Sequence, residues 1–444
     1  MPAPQTIYLR LARFLLPLAV TTIVLEFGTQ MLNAGMARMP HATETLAGFG
    51  VAYGIILFLT SPIGQARELG LVMGEGRAAR QKVRRFVLIT GMILITILAV
   101  LALTPVGHWV IEDFHGIDSQ LGRTVRTAIL WLAPYPLIRG MSLYHAGLLI
   151  RQRRTTLVSY AMIASMVSSV LTVFLTLPLA WVAAQPIRLP ILGIYAGILV
   201  ELAIVLWGFR HVVRTVADES PVQVAPSYGI ILRFFWPLAL ILMMQEFSRP
   251  LINLYVARQG NGPEALAVLA VVYILGRIPY GWLNDMRSLA TSFREEPNSL
   301  HYIRRFAAGC LLISLTMMFL FFWTPLREWI LRTVIGLSPE LAALSHVPLL
   351  IFGAYSPAVA VRAYYQGVAL LERRTAALAP SAPARLGIIW LGLLILPLLG
   401  ITGATMGVTA LCLGFVVEAT TVWWGVRGYR QILGWKQPAG ARIS

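Results

Sequence analysis

Charge is what this 444-residue chain has least of. Only 12% of its residues are Asp, Glu, Lys or Arg, against 57% hydrophobic, whereas a soluble domain carries about 25% charged residues. That shortage excludes an ordinary soluble protein and reads as a polytopic membrane protein. Lysine is confined to Lys82 and Lys436, a bias that reflects a GC-rich genome and points to a bacterial inner membrane. The two cysteines, Cys310 and Cys412, both fall inside apolar runs, which argues against a disulfide framework or a Cys-rich metal site. No short apolar region ends in a small-residue cleavage site, so no cleavable signal peptide is expected. Walker A, His-Glu-x-x-His and Gly-x-Ser-x-Gly patterns are missing as well, which withdraws support from ATP-driven pumping and from familiar hydrolases. The chain is therefore expected to be neither an enzyme nor a cofactor protein.

What is present is a duplication. Arg13-Phe14, Pro17-Leu18-Ala19, Glu26-Phe27 and Asn33 recur as Arg233-Phe234, Pro237-Leu238-Ala239, Glu246-Phe247 and Asn253, an offset of 220 positions. The register holds through Arg67 and Arg287, Thr104-Pro105 and Thr324-Pro325, and Arg153-Arg154-Thr155 and Arg373-Arg374-Thr375. Late in each half it shortens to 217, where Glu201 answers Glu418. The chain thus divides into an N-terminal six-helix lobe at 1–217, a linker at 218–230 and a C-terminal six-helix lobe at 231–444. Two packed halves of this kind suggest a machine in which one half moves against the other.

Apolar runs of about 20 residues are long enough to cross a bilayer. They lie near 12–35, 46–63, 86–111, 126–150, 156–182 and 190–209, then 231–256, 265–284, 306–331, 345–371, 377–399 and 401–426. The expected fold is an all-α polytopic bundle of twelve transmembrane helices in two parallel repeats. A net charge of +17 could suggest nucleic acid, but most of the 36 Lys and Arg crowd the termini and the loops after spans 2, 4, 6, 8 and 10. The opposite loops hold Arg38, Arg123, Arg126, Arg188, Arg258, Arg327 and Arg332. Basic residues resist translocation, so both termini are expected in the cytoplasm, with the bilayer and no nucleic acid as partner. The basic loop from Gly64 to Arg85 reads as a short amphipathic piece at the membrane surface, contacting lipid headgroups.

Four basic residues remain inside the spans: Arg139, Arg249, Arg277 and Arg362. Each opposes insertion by roughly 2.5 to 3.5 kcal/mol at a helix centre unless it is paired or hydrated. Four acids join them in two repeat pairs, Glu26 with Glu246 and Glu201 with Glu418. The acids are symmetric and the arginines are not. One reading is a division of labour: arginines recognise an anion, because a planar guanidinium donates two hydrogen bonds to carboxylate or phosphate, while Glu26 and Glu246 pair structurally or carry protons. Arg139 and Arg362, about one turn apart in repeat position, would then reach one central cavity from opposite lobes. The competing readings are that Glu246 and Arg249 neutralise each other on one helix, that Arg277 reaches an interface, and that Glu201 and Glu418 serve as interhelical hydrogen-bond partners. Asn33, Asn253, Tyr280 and Asn284 complete the candidate substrate site, with Gln245, Tyr364 and Gln366 nearby. His145 reads as a packed, hydrogen-bonded histidine or as a group titrating near neutrality.

Phe235-Trp236-Pro237-Leu238-Ala239, Ser248-Arg249-Pro250, Pro279-Tyr280-Gly281-Trp282, Phe322-Trp323-Thr324-Pro325 and Leu378-Ala379-Pro380-Ser381 closely resemble the progressive ankylosis (ANK) family of membrane transporters. In the first half the likeness includes Phe27-Gly28, Leu32-Asn33 and His145-Ala146-Gly147. The resemblance implies a bundle similar to the multidrug and oligosaccharide flippase (MATE-like) superfamily. It also implies alternating access and export of anionic metabolites such as citrate or inorganic pyrophosphate, with importance carried to Arg249 and the Pro279–Trp282 segment. Glu246 departs from the basic residue of the animal proteins, and their acidic cytoplasmic tail has no counterpart here. A MATE-type proton-coupled antiporter of drugs or cations, a lipid-linked substrate flippase and a non-transporting scaffold stand as alternatives. The duplication leaves the oligomeric state open.

Overall fold

The computed structural model describes residues 4–36, 38–39, 42–113, 119–213, 225–259, 262–334 and 339–432. Among them, eleven helices are long and apolar enough to cross a membrane. In the first lobe these are α1 (Pro4–Met36), α2a (Ala42–Thr60) continued by α2b (Ala66–Met73), α3 (Arg77–Leu103), α5 (Thr155–Thr176) and α6 (Arg188–Gly208). The second lobe contains α7 (Tyr228–Ala257), α8a (Gly262–Gly281) with α8b (Arg287–Ser292), α9 (Ser299–Phe322), α10a (Pro339–Ile351) with α10b (Tyr355–Leu371), α11 (Ser381–Ile395) and α12 (Gly403–Ile432). The twelfth crossing, α4, is broken into α4a (Ser119–Leu132) and α4b (Tyr135–Arg151). Pro134 and Pro136 explain the break: a proline fits the start of a helix, where its missing N–H is not needed, but not the interior. The linker expected at 218–230 falls mostly outside the described residues, and α7 begins inside it, with the Ser227 hydroxyl accepting from the Ile230 N–H at 3.3 Å.

The duplication extends to irregularities that propensity alone would not repeat. Tight 3-10 turns interrupt both second helices of the lobes, at Ser61–Gln65 and Trp282–Met286. Wide turns follow the third, at Trp109–Asp113 and Ile330–Val334. Arg153 and Arg373, repeat mates, both adopt left-handed backbone, φ 61° and 54°, ending α4b and α10b so that the N–H groups of the next residues, Arg154 and Arg374, reach back to the Leu149 and Ala369 carbonyls. This is the usual way to satisfy the last carbonyls of a helix.

One hydrophobic core joins the two lobes near the basic loops, through Leu11, Phe14 and Leu69 with Phe234, Leu289 and Phe293, and continues through the second lobe to Leu331, Ala342 and Met406. A separate core around Met36, Phe49, Leu98, Ile111 and Leu189 belongs to the first lobe alone and sits at the opposite end. The lobes are thus fused at the basic end and distinct at the other. Five cross-lobe ion pairs lie at the fused end. Arg67 meets Asp285 and Arg287 meets Glu68, at 3.5 and 3.0 Å, so the repeat-mate arginines reach reciprocally across the seam. Around them Arg10 and Arg153 hold Glu296, and Arg294 holds Glu75. Within the segment Gly64–Arg85 expected to lie on headgroups, α2b is a correction: it is buried, with Glu68 fully so. Its charges face the partner lobe, because a carboxylate at this depth gains more from two guanidinium groups than from a membrane surface.

Candidate functional site

In the first lobe, Arg139 donates both bonds of one nitrogen to Glu201, each at 2.8 Å, and Ser142 Oγ donates to the same carboxylate at 2.7 Å. Glu201 is buried, while Arg139 keeps 27% of its side chain exposed. Tyr53 and Tyr135 lie near Arg139.

The equivalent acid of the second lobe has a different shell. Glu418 accepts from Arg362 at 2.8 Å, from Arg385 at 2.6 Å and from Gln245 Nε2 at 2.7 Å. Both guanidinium groups lie over the Phe415 ring, 5.0 and 4.5 Å from its centroid. Arg362 also donates to the Asn284 side-chain oxygen, whose amide nitrogen donates to the Gly281 carbonyl. Tyr280 is buried beside them, packed on Tyr355, Phe352 and Phe415. Arg362 and Arg385 share the single carboxylate of Glu418, so these three side chains together keep a net positive charge.

The geometry brings together Arg362, Asn284 and Tyr280, all nominated from sequence, while Arg249 and Arg277 lie in the same lobe on α7 and α8a. Arg139 sits in the other lobe, and each of Arg139 and Arg362 is held first by its own lobe's acid. Glu246, Arg249 and Asn253 are exposed along α7. No ion pair within 4 Å joins Glu246 to Arg249 among the described residues, so the expected mutual neutralisation on one helix is not found; Arg249 instead lies 5.1 Å from the Tyr273 ring. The side chains of Glu26 and Asn33 lie outside the described residues. His145 is packed between Tyr144 and Phe209, with Nδ1–H donating to the Met141 carbonyl at 2.7 Å.

Arg385 is a correction to the inventory of intramembrane charges. It lies inside the apolar run 377–399, yet four residues from the start of α11 it reads as part of the preceding basic loop. The structure buries it on Glu418. The span boundary was the available signal, since only a residue one turn inside a helix can point back into the bundle.

The family profile of progressive ankylosis protein (ANKH) matches residues 2–324. The chain belongs to the progressive ankylosis family. Its ANKH-type fold is shared with solved MATE and MOP structures of low sequence identity. One is a MOP superfamily transporter from Pyrococcus furiosus, TM-score 0.69 at 14% identity, covering 96% of each chain; the reversed polarity of its binding pocket suggests a different function for that protein. A eukaryotic MATE transporter superposes with TM-score 0.67 at 14% identity over 96% of this chain and 99% of its own. A multidrug resistance MATE family transporter of the MOP superfamily in the outward-facing conformation gives 0.68 at 15% over 96% of both. These likenesses establish the twelve-helix MATE-like architecture of this ANKH family member.

Proposed function

We propose that this ANKH family member is a secondary transporter that exports multivalent anions, such as citrate or inorganic pyrophosphate, by alternating access of its two lobes. The observation that carries the reading is that Arg362 and Arg385 share the single carboxylate of Glu418 beside Tyr280 and Asn284, which leaves excess positive charge buried in the second lobe. Guanidinium groups in a low-dielectric site attract a multivalent anion strongly, and admitted water weakens that attraction on opening. The fused core and cross-lobe ion pairs at the basic end match a state closed on that side. With the basic loops in the cytoplasm, as their charge predicts, this is the outward-facing state in a plasma membrane of the bacterial inner-membrane type. Rocking about the fused end would expose the same site alternately.

Uptake and efflux of labelled citrate and pyrophosphate in proteoliposomes test the reading, with wild type beside Arg139→Ala and Arg362→Ala. Both substitutions are expected to reduce flux, the second more. Equal flux in all three proteins rejects the site, and transport of neither anion by wild type rejects the substrate class. MATE-type proton-coupled antiport is the second reading, favoured by Glu246: it is exposed between the lobes and has no hydrogen-bond or ion-pair partner among the described residues. It requires cationic cargo, pH-driven exchange and loss of exchange in Glu246→Gln.

A further inference from the structure

Beside the cationic cluster, an apolar crevice of about 810 Å³ opens between α2a, α3 and α7. Its outer wall includes Ile97 and Val100, which are 42% and 44% exposed on the surface of α3, so the crevice continues to the face that meets lipid. Its inner wall includes Gly50 and Gly54, where an added Cβ would meet no atom within 4 Å. A small hydrated anion gains nothing from walls of this kind, whereas a hydrocarbon chain gains free energy with every methylene it removes from water.

The inner end is not apolar. Glu246 and Arg249 both line it, three residues apart on α7 and therefore about 5 to 6 Å apart at their Cβ atoms. Both are exposed, and no ion pair within 4 Å joins them among the described residues. An isolated carboxylate and guanidinium at membrane depth are costly unless each finds an opposite charge. A headgroup carrying one charge of each sign provides both, and the short ethanolamine bridge of a phospholipid holds phosphate and ammonium at a comparable separation.

We propose that this crevice binds a zwitterionic phospholipid of the phosphatidylethanolamine type. Its chains lie between α2a and α3, its phosphate accepts from Arg249, and its ammonium donates to Glu246. A purely anionic headgroup meets repulsion from Glu246, and a purely cationic amphiphile meets repulsion from Arg249. The primary ammonium donates hydrogen bonds to a carboxylate, which the quaternary ammonium of phosphatidylcholine cannot do.

Native mass spectrometry of the full-length protein, delipidated and titrated with dioleoyl phosphatidylethanolamine or dioleoyl phosphatidylglycerol, reads the preference directly. Wild type is expected to retain the ethanolamine lipid about tenfold better. Glu246→Gln should shift the preference toward the glycerol lipid. Gly54→Leu, which fills the crevice without touching the arginine cluster, should lose both lipids while leaving citrate and pyrophosphate flux unchanged; Gly50→Leu repeats the test from the same wall. Equal retention of the two lipids by wild type, or full retention by both glycine variants, overturns the proposal. If the lipid preference holds and anion flux is absent, the transport reading fails alone; the reverse result fails the lipid site alone.

Discussion

The two lobes carry the same acid in the same place and surround it differently. Glu201 is held by one arginine and a serine, Glu418 by two arginines and a glutamine. Ser142 is the repeat mate of Arg362, and Ser165 that of Arg385, so a hydroxyl in the first lobe stands where the second has a guanidinium. The first shell is neutral and the second is cationic. A duplicated bundle can thus keep one set of moving parts while concentrating binding charge in one half.

The comparison breaks most severely at the acids. Glu418→Gln strips two buried guanidinium groups of their counter-charge and should destabilise the protein by about 3 to 5 kcal/mol. Glu201→Gln should cost clearly less, because Arg139 retains access to water while Arg362 and Arg385 are almost fully buried. Thermal unfolding of both variants in the same detergent measures the difference, and equal losses would show that the two shells are energetically alike.

Next come two glycines that are repeat mates. A methyl group at Gly147 would collide severely with the Arg67 carbonyl oxygen, and at Gly367 it would collide less severely, 2.8 Å from the Arg287 carbonyl oxygen. Gly147→Ala is therefore expected to destabilise by about 1 to 3 kcal/mol and Gly367→Ala by less, as calorimetric midpoints would show. The ordering would reverse only if the α2b–α4b contact relaxes more easily than its mate α8b–α10b.

A sharper functional test swaps the shells themselves. Arg385→Ser gives the second lobe the residue of the first and should raise the KM for a multivalent anion about tenfold, equivalent to roughly 1.4 kcal/mol. A monovalent anion should be affected less. If KM is unchanged for both, the excess charge has no part in recognition.

The smallest effect is expected at the rim of the closed face. Burial acts to raise the pKa of Glu75, but hydrogen bonds and charge from Arg294 and Arg151 outweigh it and hold the carboxyl below its ordinary range. At Glu296, burial is likewise outweighed, by Arg10 and Arg153. Depressed carboxylates contribute to closure when ionised, so that contribution is complete above the ordinary glutamate range and fades as pH falls through the depressed values. The reactivity of a single cysteine introduced at the basic face should therefore rise in acid, by an amount matching about 0.2 to 1 kcal/mol per rim pair. Glu75→Gln with Glu296→Gln should abolish that pH dependence. Persistence of the pH dependence in the double variant would locate it elsewhere.

How much was legible beforehand differs by the range of the interaction. Twelve crossings and two lobes follow from hydrophobic run length and the 220-residue register, because a bilayer forces the backbone to satisfy itself within each segment. Arg362 and Asn284, 78 positions apart, show what sequence could nominate but not join: their bond requires the turn after α8a to pack on α10b. Arg385 and Glu68 show what it misplaced. Each lies close to a helix end, where one turn decides whether a charge meets water or the bundle, and that turn is set by neighbouring helices. The sequence by itself determined the membrane class, the repeat and the supply of intramembrane charge. Only tertiary packing decided which arginines share an acid, which face the lobes seal and where Glu246 and Arg249 stand apart, because those outcomes depend on distances between segments that no local pattern encodes.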